Sequence, residues 1–537
     1  MATSLARSTA LMTIGTVFSR LTGVIRLAVF AAILGVVETR FPDTYNLANT
    51  APNIIYELVL GGLVAAVFVP VFVELLETKD RDEAWAAISG IFNLSLVVLA
   101  IFSLLGILGA PLFARFYAST LSGEEAARQQ EVLIFLLRVF IPQVVLYGVY
   151  FMASGILNAH QRFVLPMFTQ VLNNLVIIAV FVMFGRLYDL VTLESVTNEQ
   201  LLFIGLGTTL SVAPAGLAIL PAMLRLGPYR MTIKVDPLLR KRLIGLSVFL
   251  IGFVGANQLA YLVMQRLAND TQGGYTAFLA AQTFYLLPIG VFVWSITTAI
   301  VPRLSRDALN ERWDGFQDTI ALGAGATLFL IVPSAVGLAV LARPLVQALL
   351  EHGVVTGAST DLITGVLIFF VLGLVQFSLY LVYVRAFYSM QDAKTPFLIN
   401  CVVVVLNVIV IFPMYDLLGV KGLAAGQAIA YTAGVALQLW VLGRRVGGIG
   451  LKRLAVSSGK ILLAAAVMGV VVYGLAKAFE NAFGEGTRGL ALTFGIPTLI
   501  GAGVYLGAAG LLKVEEMSFV RSVVARRAAE SNPAPPV

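Results

Sequence analysis

The chain has 537 residues, of which 59% are hydrophobic and 12% are charged, whereas soluble domains are about 45–50% apolar and about 25% charged. This composition excludes a soluble fold, because no chain of this length can bury so much apolar surface. The net charge of +7 is spread over short loops rather than one nucleic-acid-binding patch. A single cysteine, Cys401, and two distant histidines, His160 and His352, predict no intramolecular disulfide and no metal centre.

Apolar runs between charged or Pro- and Gly-rich breaks predict fourteen membrane-spanning helices. The first run is longer than the core of a signal peptide, which is about 7–15 residues, so it predicts a retained helix. The proline-rich tail 513–537 predicts disorder. The predicted spans are 9–36, 46–76, 84–109, 132–157, 163–185, 200–225, 243–266, 274–302, 315–342, 358–388, 395–415, 419–442, 456–477 and 489–512.

Loop cations predict the orientation of these helices. Roughly 23 Lys and Arg residues lie in loops on the side of the N-terminus and about 9 on the other side, so both termini are predicted to be cytoplasmic. The basic stretch 229–242 fits two interpretations equally well. It forms either a short surface helix over anionic lipid or a charged connector.

A weak internal repeat predicts the domain organisation. Residues 66–70 resemble 298–302, and residues 157–162 face 389–394 at the same shift of 232 residues. Six spans separate the copies, which predicts an all-α polytopic membrane protein with two parallel six-helix repeats and two extra C-terminal helices. The predicted parts are an N-terminal lobe (1–226), a basic linker (227–242), a C-terminal lobe (243–445), helices 13 and 14 (446–512) and a cytoplasmic tail (513–537).

Two arginines interrupt the first predicted span. Each would cost about 2.5–3.5 kcal/mol at a lipid-facing midplane, so Arg20 and Arg26 are expected to face protein or a wet cavity. Six residues correspond to about 600° of turn and about 9 Å of rise, which places the two cations on neighbouring flanks of one helix. A guanidinium fork matches phosphate oxygens well.

The second predicted span carries a carboxylate. Glu57 lies about 16 Å into the membrane, at a depth similar to that of Arg20, so an Arg20–Glu57 ion pair is a geometrically allowed prediction. Such a pair would either staple two helices or hold the arginine until a ligand competes for it. Two arginines and one carboxylate leave a positive surplus, which favours an anionic ligand.

Other polar residues of the spans are weaker candidates, because interhelical hydrogen bonds explain most of them. No phosphate loop, nucleophile elbow or histidine metal motif occurs, which predicts no catalytic residues and no enzyme. Arg138, near the outer end of its span, can snorkel towards water. The predicted substrate-binding residues are Ser19, Arg20, Arg26, Asn53, Glu57, Asn257, Gln258 and Gln282.

Four stretches carry a resemblance to a known family: 19–26, 43–70 with Pro52-Asn53, 287–292 with 302–305, and 385–396. Together they make the chain similar, over essentially its full length, to the MurJ/MviN lipid II flippases. This family belongs to the multidrug/oligosaccharidyl-lipid/polysaccharide exporter superfamily. The residues 53–62 are similar to those of actinobacterial members.

The resemblance implies a fourteen-helix transporter in the bacterial inner membrane with a cationic cavity, and a groove of helices 13 and 14 for a prenyl tail. Its substrate would be lipid II, the polyprenyl-diphosphate precursor of peptidoglycan, moved by alternating access during cell wall biogenesis. No cofactor is implied, although the membrane potential or a monovalent cation can supply coupling, and wall-synthesis and division proteins are expected partners. Arg20 and Arg26 match functional arginines of the family, whereas Asp43, Arg138 and Arg385 are the expected gating or family-matched residues.

The chain also departs from the family pattern. Tyr56 and Glu57 stand where two arginines are common, Thr283 replaces another arginine, and Leu27 replaces an acidic residue. The cavity is therefore predicted to be less cationic than in relatives. A flippase for another polyprenyl-linked glycan, a cation-coupled drug exporter and a non-transporting scaffold for wall synthesis remain open as alternatives.

Overall fold

The computed structural model describes residues 2–60, 67–448, 451–483 and 487–517, and every regular element in these ranges is helical. A 3₁₀ turn at Ala118–Thr120 follows α4, and a π-helical turn at Ile289–Val293 joins α11 to α12. The α-helices are α1 (Ala2–Leu34), α2 (Phe41–Leu60), α3 (Val69–Thr78), α4 (Arg81–Tyr117), α5 (Gly123–Phe140), α6 (Gln143–Ala159), α7 (Val164–Leu187), α8 (Asn198–Ser211), α9 (Ala213–Leu224), α10 (Pro237–Asp270), α11 (Gly274–Pro288), α12 (Trp294–Leu309), α13 (Trp313–Leu350), α14 (Gly357–Leu372), α15 (Leu374–Ser389), α16 (Lys394–Leu418), α17 (Val420–Val446), α18 (Leu451–Phe483) and α19 (Thr487–Leu511).

The all-α membrane fold predicted from composition is confirmed. Within the described residues, ten helical stretches are long and apolar enough to cross a membrane, and the pair α14–α15, bent by 45°, makes eleven if it is one span. The other predicted spans fall on α1, α2–α3 and α10, so the count of fourteen stays a prediction. Several helices continue beyond their predicted spans, because polar residues extend a helix past its apolar core. The predicted connection 110–131, for example, is mostly helix.

The chain forms two compact units. Unit 1 comprises residues 1–277 and 352–359, and unit 2 comprises 278–351 and 360–537. The boundaries of these units reflect packing contacts, whereas the predicted lobes 1–226 and 243–445 were derived from the sequence repeat. The division into lobes stays a prediction. Part of the repeat match at 66–70 and the tail beyond Met517 lie outside the described residues.

Unit 1 is built around an aromatic core. Tyr45 of α2 lies with its ring centroid 5.4 Å from those of Phe30 on α1 and Phe140 on α5, and 5.9 Å from that of Phe181 on α7. All four rings are buried. The Tyr45 hydroxyl is 2.8 Å from Thr208 Oγ1 on α8, so the polar end of this core residue is satisfied.

Unit 2 packs α13 against α18 and α19. Tyr505 on α19 donates a 2.7 Å hydrogen bond to the carbonyl oxygen of Phe329 on α13, within a cluster of buried apolar side chains. The α16–α17 hairpin is closed by Gly422, where a Cβ atom would lie 1.9 Å from the Met414 carbonyl oxygen. Only glycine allows this approach of the two helices.

One turn recurs in both units and corrects the predicted repeat register. Gln161 follows α6 and Gln391 follows α15, and each has a φ of 58°. The amide after each of them closes the same turn, with Arg162 N bonded to Leu157 O at 2.9 Å and Asp392 N to Phe387 O at 3.1 Å. The equivalent residues are 230 positions apart, so the predicted shift of 232 was wrong at this turn. Matching short apolar strings does not determine register. The pairing of Gln161 with Gln391 rests on the shared glutamine as well as on the turn, which also occurs at Glu311 and Lys513.

The basic linker is a non-helical connector up to Asp236, and its last residues, 237–242, begin the long helix α10 rather than a separate surface helix. Residues 228–236 are non-helical, and α10 begins at Pro237 after Asp236, whose carboxylate accepts hydrogen bonds from the next two free amides. Asn93 on α4 donates to the carbonyl oxygens of Thr232 (2.8 Å) and Arg230 (3.1 Å). At Gly227 a Cβ atom would lie 2.1 Å from Trp85 Nε1, so this close approach to α4 requires glycine.

Candidate functional site

The two arginines of α1 flank a contact between α1 and α7. Thr22, between them in sequence, is buried and accepts a 3.0 Å hydrogen bond from Asn174 Nδ2 on α7. The same amide nitrogen donates to the carbonyl oxygen of Ser19 at 3.3 Å. The side chains of Arg20 and Arg26 are exposed, and neither forms an ion pair with any described residue. Both cations are therefore available to an anion.

Aromatic side chains of α2 and α6 lie beside Arg26. Its guanidinium is within electrostatic range of the Tyr45 and Tyr147 hydroxyls. The Tyr147 ring is 6.0 Å from Tyr56, and Tyr56 stacks on Phe151 at a centroid distance of 4.3 Å. Tyr56 is thus part of an aromatic wall, formed with Tyr147 and Phe151, that lies within electrostatic range of the Arg26 cation.

Glu57 does not pair with Arg20 in this structure. Its Oε2 accepts a hydrogen bond from Gln258 Nε2 on α10. The predicted pair rested on equal depth along two helices, and depth does not determine the direction in which a side chain points around its helix. Gln258, predicted as a weak candidate, is the residue that meets the carboxylate.

The other predicted polar residues of unit 1 make local bonds. Asn53 Nδ2 donates to the carbonyl oxygen of Asn49 at 3.3 Å, and Asn257 Nδ2 donates to that of Phe253 at 2.8 Å. Ser19, Asn53 and Asn257 are all partly buried. A substrate contact of these side chains stays a prediction.

Three predicted residues lie elsewhere. Gln282 is half-buried on α11 in unit 2, and the Arg385 guanidinium stacks over the Trp294 ring at 5.4 Å, also in unit 2. Arg138 is exposed near the end of α5. Of the predicted site residues, the structure brings Glu57 on α2 together with Gln258 on α10, and Arg26 on α1 lies within electrostatic range of the aromatic wall of α2 and α6. The part of unit 1 that carries these residues and Arg20 is called the candidate face below.

Asp43, the acidic residue at the start of α2, is fully buried. Its Oδ2 accepts from Gly273 N at 2.7 Å, and its Oδ1 accepts from Thr276 N at 2.8 Å and Thr276 Oγ1 at 2.7 Å. It therefore satisfies free amides at the N-terminus of α11, as a capping carboxylate does. This role explains an acidic residue here structurally, whereas its predicted gating role stays a prediction.

Sequence analysis did not predict a role for a second carboxylate, that of Glu38, which lies in the loop between α1 and α2. Glu38 accepts hydrogen bonds from Val36 N (2.6 Å), Thr356 N (2.7 Å), Thr356 Oγ1 (2.8 Å) and Ser359 Oγ (2.8 Å). Burial raises the pKa of Glu38, whereas the four hydrogen bonds together lower it by more. The pKa therefore lies below its ordinary value of 4.5. Its partners Thr356 and Ser359 are over 300 positions away in sequence, and no local pattern marks them.

We expect Glu38→Gln to destabilise the protein by about 1–2 kcal/mol at pH 7, because the amide cannot accept all of these bonds. The stabilisation by ionised Glu38 is fully present above its unfolded pKa and is lost as the pH falls through the lower folded value. Melting temperatures of parent and variant in detergent should therefore approach each other as the pH falls below the ordinary value of 4.5. Glu131→Gln, in the exposed Arg128–Glu131 pair, is the control and should change little. A constant difference at all pH values would contradict the assignment.

The chemistry open to this face follows from its charged groups. Within the described ranges, no group of three or more His, Cys, Asp or Glu side chains could hold a metal ion. The face instead presents two guanidinium groups, one carboxylate and an aromatic wall. Guanidinium forks bind phosphate oxygens with two parallel hydrogen bonds, so the arrangement suits a phosphorylated amphiphile.

Comparison with known proteins decides the family. A family model described as "Lipid II flippase MurJ" matches residues 30–493. The chain belongs to the MurJ family. A relative named probable lipid II flippase MurJ from Rhizobium tropici is 27% identical over 95% of both chains. One of the same name from Thermotoga maritima is 26% identical over 95% of this chain and 97% of its own.

Solved structures give the same fold. The structure titled "Lipid II flippase MurJ, inward closed conformation" is 24% identical, covers 96% of this chain and 100% of its own, and has a TM-score of 0.76. An inward-facing multidrug transporter of the MATE family is 16% identical, covers 79% of this chain and 94% of its own, and has a TM-score of 0.63. This MurJ chain therefore shares the fold of the wider exporter superfamily, as its resemblance implied.

Proposed function

We propose that the protein is a lipid II flippase that moves the polyprenyl-diphosphate precursor of peptidoglycan from the inner to the outer leaflet of the bacterial inner membrane. Its relatives bear this name, and one observation on this chain carries the proposal: Arg20 and Arg26 are exposed on a membrane helix without an ionic partner among the described residues. Cations at such a position need a compensating anion. A diphosphate supplies it.

In this function the guanidinium groups of Arg20 and Arg26 hold the diphosphate by charge-assisted hydrogen bonds. The sugar-peptide head follows a polar path along α1, α2 and α10, while the prenyl tail stays in lipid and contacts α18 and α19. Alternating access then spares the diphosphate a crossing of hydrocarbon, which would cost several kcal/mol or more for an unpaired charge. The membrane potential or a monovalent cation supplies the coupling, and wall-synthesis and division proteins are the partners.

Reconstituted proteoliposomes test the function. A lipid II analogue with a fluorescent head group is added to both leaflets, and an external quencher reports how much of it crosses. We expect crossing to depend on the protein, and a protein that moves no lipid II in either direction would overturn the proposal. A lipid-linked glycan without the peptide is the second arm, because Glu57 in place of a family arginine favours a flippase for another polyprenyl-linked glycan as the second candidate.

Orientation has its own test, because the loop cations only predict that both termini are cytoplasmic. In a Cys401→Ala background, single cysteines replace Thr78 and Ser122, which are exposed, and Ala529 in the tail. A membrane-impermeant maleimide on intact cells should label the Ser122 position and leave the other two unlabelled. External labelling at position 78 would contradict the orientation, and labelling after lysis shows that each thiol is reactive.

A further inference from the structure

Glu57 is a carboxylate on α2, within a predicted membrane span, and it has no cationic partner among the described residues. Its one hydrogen bond comes from the neutral amide of Gln258. An amide donor occupies one lone pair of a carboxylate and leaves the negative charge uncompensated. A carboxylate in this position is costly unless a cation meets it.

The surroundings of Glu57 offer several acceptors in one place. Glu57 is exposed on unit 1, and its Oε1 accepts no hydrogen bond from the described residues. Gln258 donates through Nε2, so its Oε1 stays free to accept. A carboxylate and an amide oxygen carried by one hydrogen-bonded pair suit a group with several N–H donors and a positive charge. A primary ammonium is such a group.

This acceptor group is linked to Arg26 through an aromatic wall and is separate from that arginine. Arg26 lies in electrostatic range of Tyr147, and the Tyr147 ring is 6.0 Å from that of Tyr56. Tyr56 directly precedes Glu57 on α2, and neighbouring residues of a helix point about 100° apart. A ligand that crosses this aromatic wall therefore meets the Arg26 cation on one side and a carboxylate on the other. The separation lets both signs of charge coexist without neutralising each other.

We propose that Glu57 and Gln258 form a subsite for a primary ammonium group on the head of the transported lipid, in addition to the diphosphate contact of Arg20 and Arg26. This inference rests on the proposed function and specifies the substrate class further, as a polyprenyl-diphosphate glycopeptide with a free amine on its peptide. The carboxylate at position 57 thus gives this wall a contact for the amine of the substrate, separate from the phosphate contact of the arginines.

The test compares two synthetic lipids that differ in one group. Both are polyprenyl-diphosphate disaccharide peptides with a lysine residue, and in one of them the lysine Nζ is acetylated. Binding to the purified full-length protein is measured in nanodiscs at low salt. We expect the parent to bind the free amine at least about tenfold more tightly, which corresponds to a single well-placed ion pair. Glu57→Gln should bring this ratio to about 1 without weakening the acetylated lipid, and Glu57→Asp should retain part of it.

The outcomes separate the explanations. Arg20→Ala is the matched variant, because it should weaken both lipids equally and leave their ratio unchanged. A parent ratio near 1, or a ratio that survives Glu57→Gln, would overturn the subsite. A lower melting temperature of Glu57→Gln with an unchanged ratio would identify a helix staple, and sodium that displaces the free amine lipid from the parent alone would identify an inorganic cation site. If the parent binds neither lipid, the proposed function fails instead.

Discussion

Replacing Arg20 or Arg26 with alanine should reduce lipid II transport in proteoliposomes at least about tenfold for each change, and the double variant should fall to the protein-free rate. The reason is that each guanidinium is exposed and unpaired in the described part of the chain, so its loss removes a contact to substrate and breaks no internal bond. Melting temperature should change little. Arg26→Lys should retain partial activity, because the charge survives while the planar fork is lost.

Arg186→Ala is the matched control, because this arginine is exposed at the end of α7, away from the site. Its transport rate should equal that of the parent. If both single alanine variants at positions 20 and 26 transport normally at normal expression, the arginines are structural and the diphosphate binds elsewhere. A fall in transport with an equal fall in melting temperature would also assign them to the fold.

Asp43→Ala should be among the most destabilising single changes in unit 1, at about 2–5 kcal/mol. The carboxylate is fully buried, and its removal leaves two backbone amides and a hydroxyl at the start of α11 without their acceptor. Asp43→Asn should lie between alanine and the parent, because one amide oxygen still accepts from Thr276. Thermal unfolding in detergent measures both.

The control for this prediction is Asp361→Ala, which removes the exposed partner of Arg343 and should cost at most about 1 kcal/mol. Equal melting temperatures for Asp43→Ala and the parent would refute the capping role. A variant that folds normally but transports nothing would assign Asp43 to gating, as the family resemblance implied.

Fold class was predictable because it depends on composition and long apolar runs, and these require lipid contact at almost every helix. Register was not predictable from the same runs. The turns at Gln161 and Gln391 show why: apolar strings match at several shifts, whereas these two glutamines at φ 58°, each followed by the same closing hydrogen bond, lie 230 positions apart. The helix ends in the structure also differ from the predicted ends. A helix can continue through polar residues into water, beyond the apolar run that hydropathy detects.

The individual residues of the candidate site could be predicted from the sequence, but their hydrogen-bond partners could not. Arg20 and Arg26 are conspicuous because a charge in an apolar run is costly. Gln258 as the partner of Glu57 depends on the rotation of α2 against α10, and Glu38 binds residues over 300 positions away. Sequence gives the depth of a side chain along its helix, whereas its partner is determined by packing between helices.

The way the basic linker is held on α4 affects how its sequence can change over time. Asn93 binds the carbonyl oxygens of Arg230 and Thr232, and Ser89 accepts a 3.1 Å hydrogen bond from the backbone amide of Arg230. These bonds use the main chain, which every residue except proline supplies in full. The side chains at 230 to 234 can therefore gain or lose charge in related proteins without detaching the linker. Substitutions are therefore restricted chiefly at Gly227 and at the residues of α4 that bind the linker.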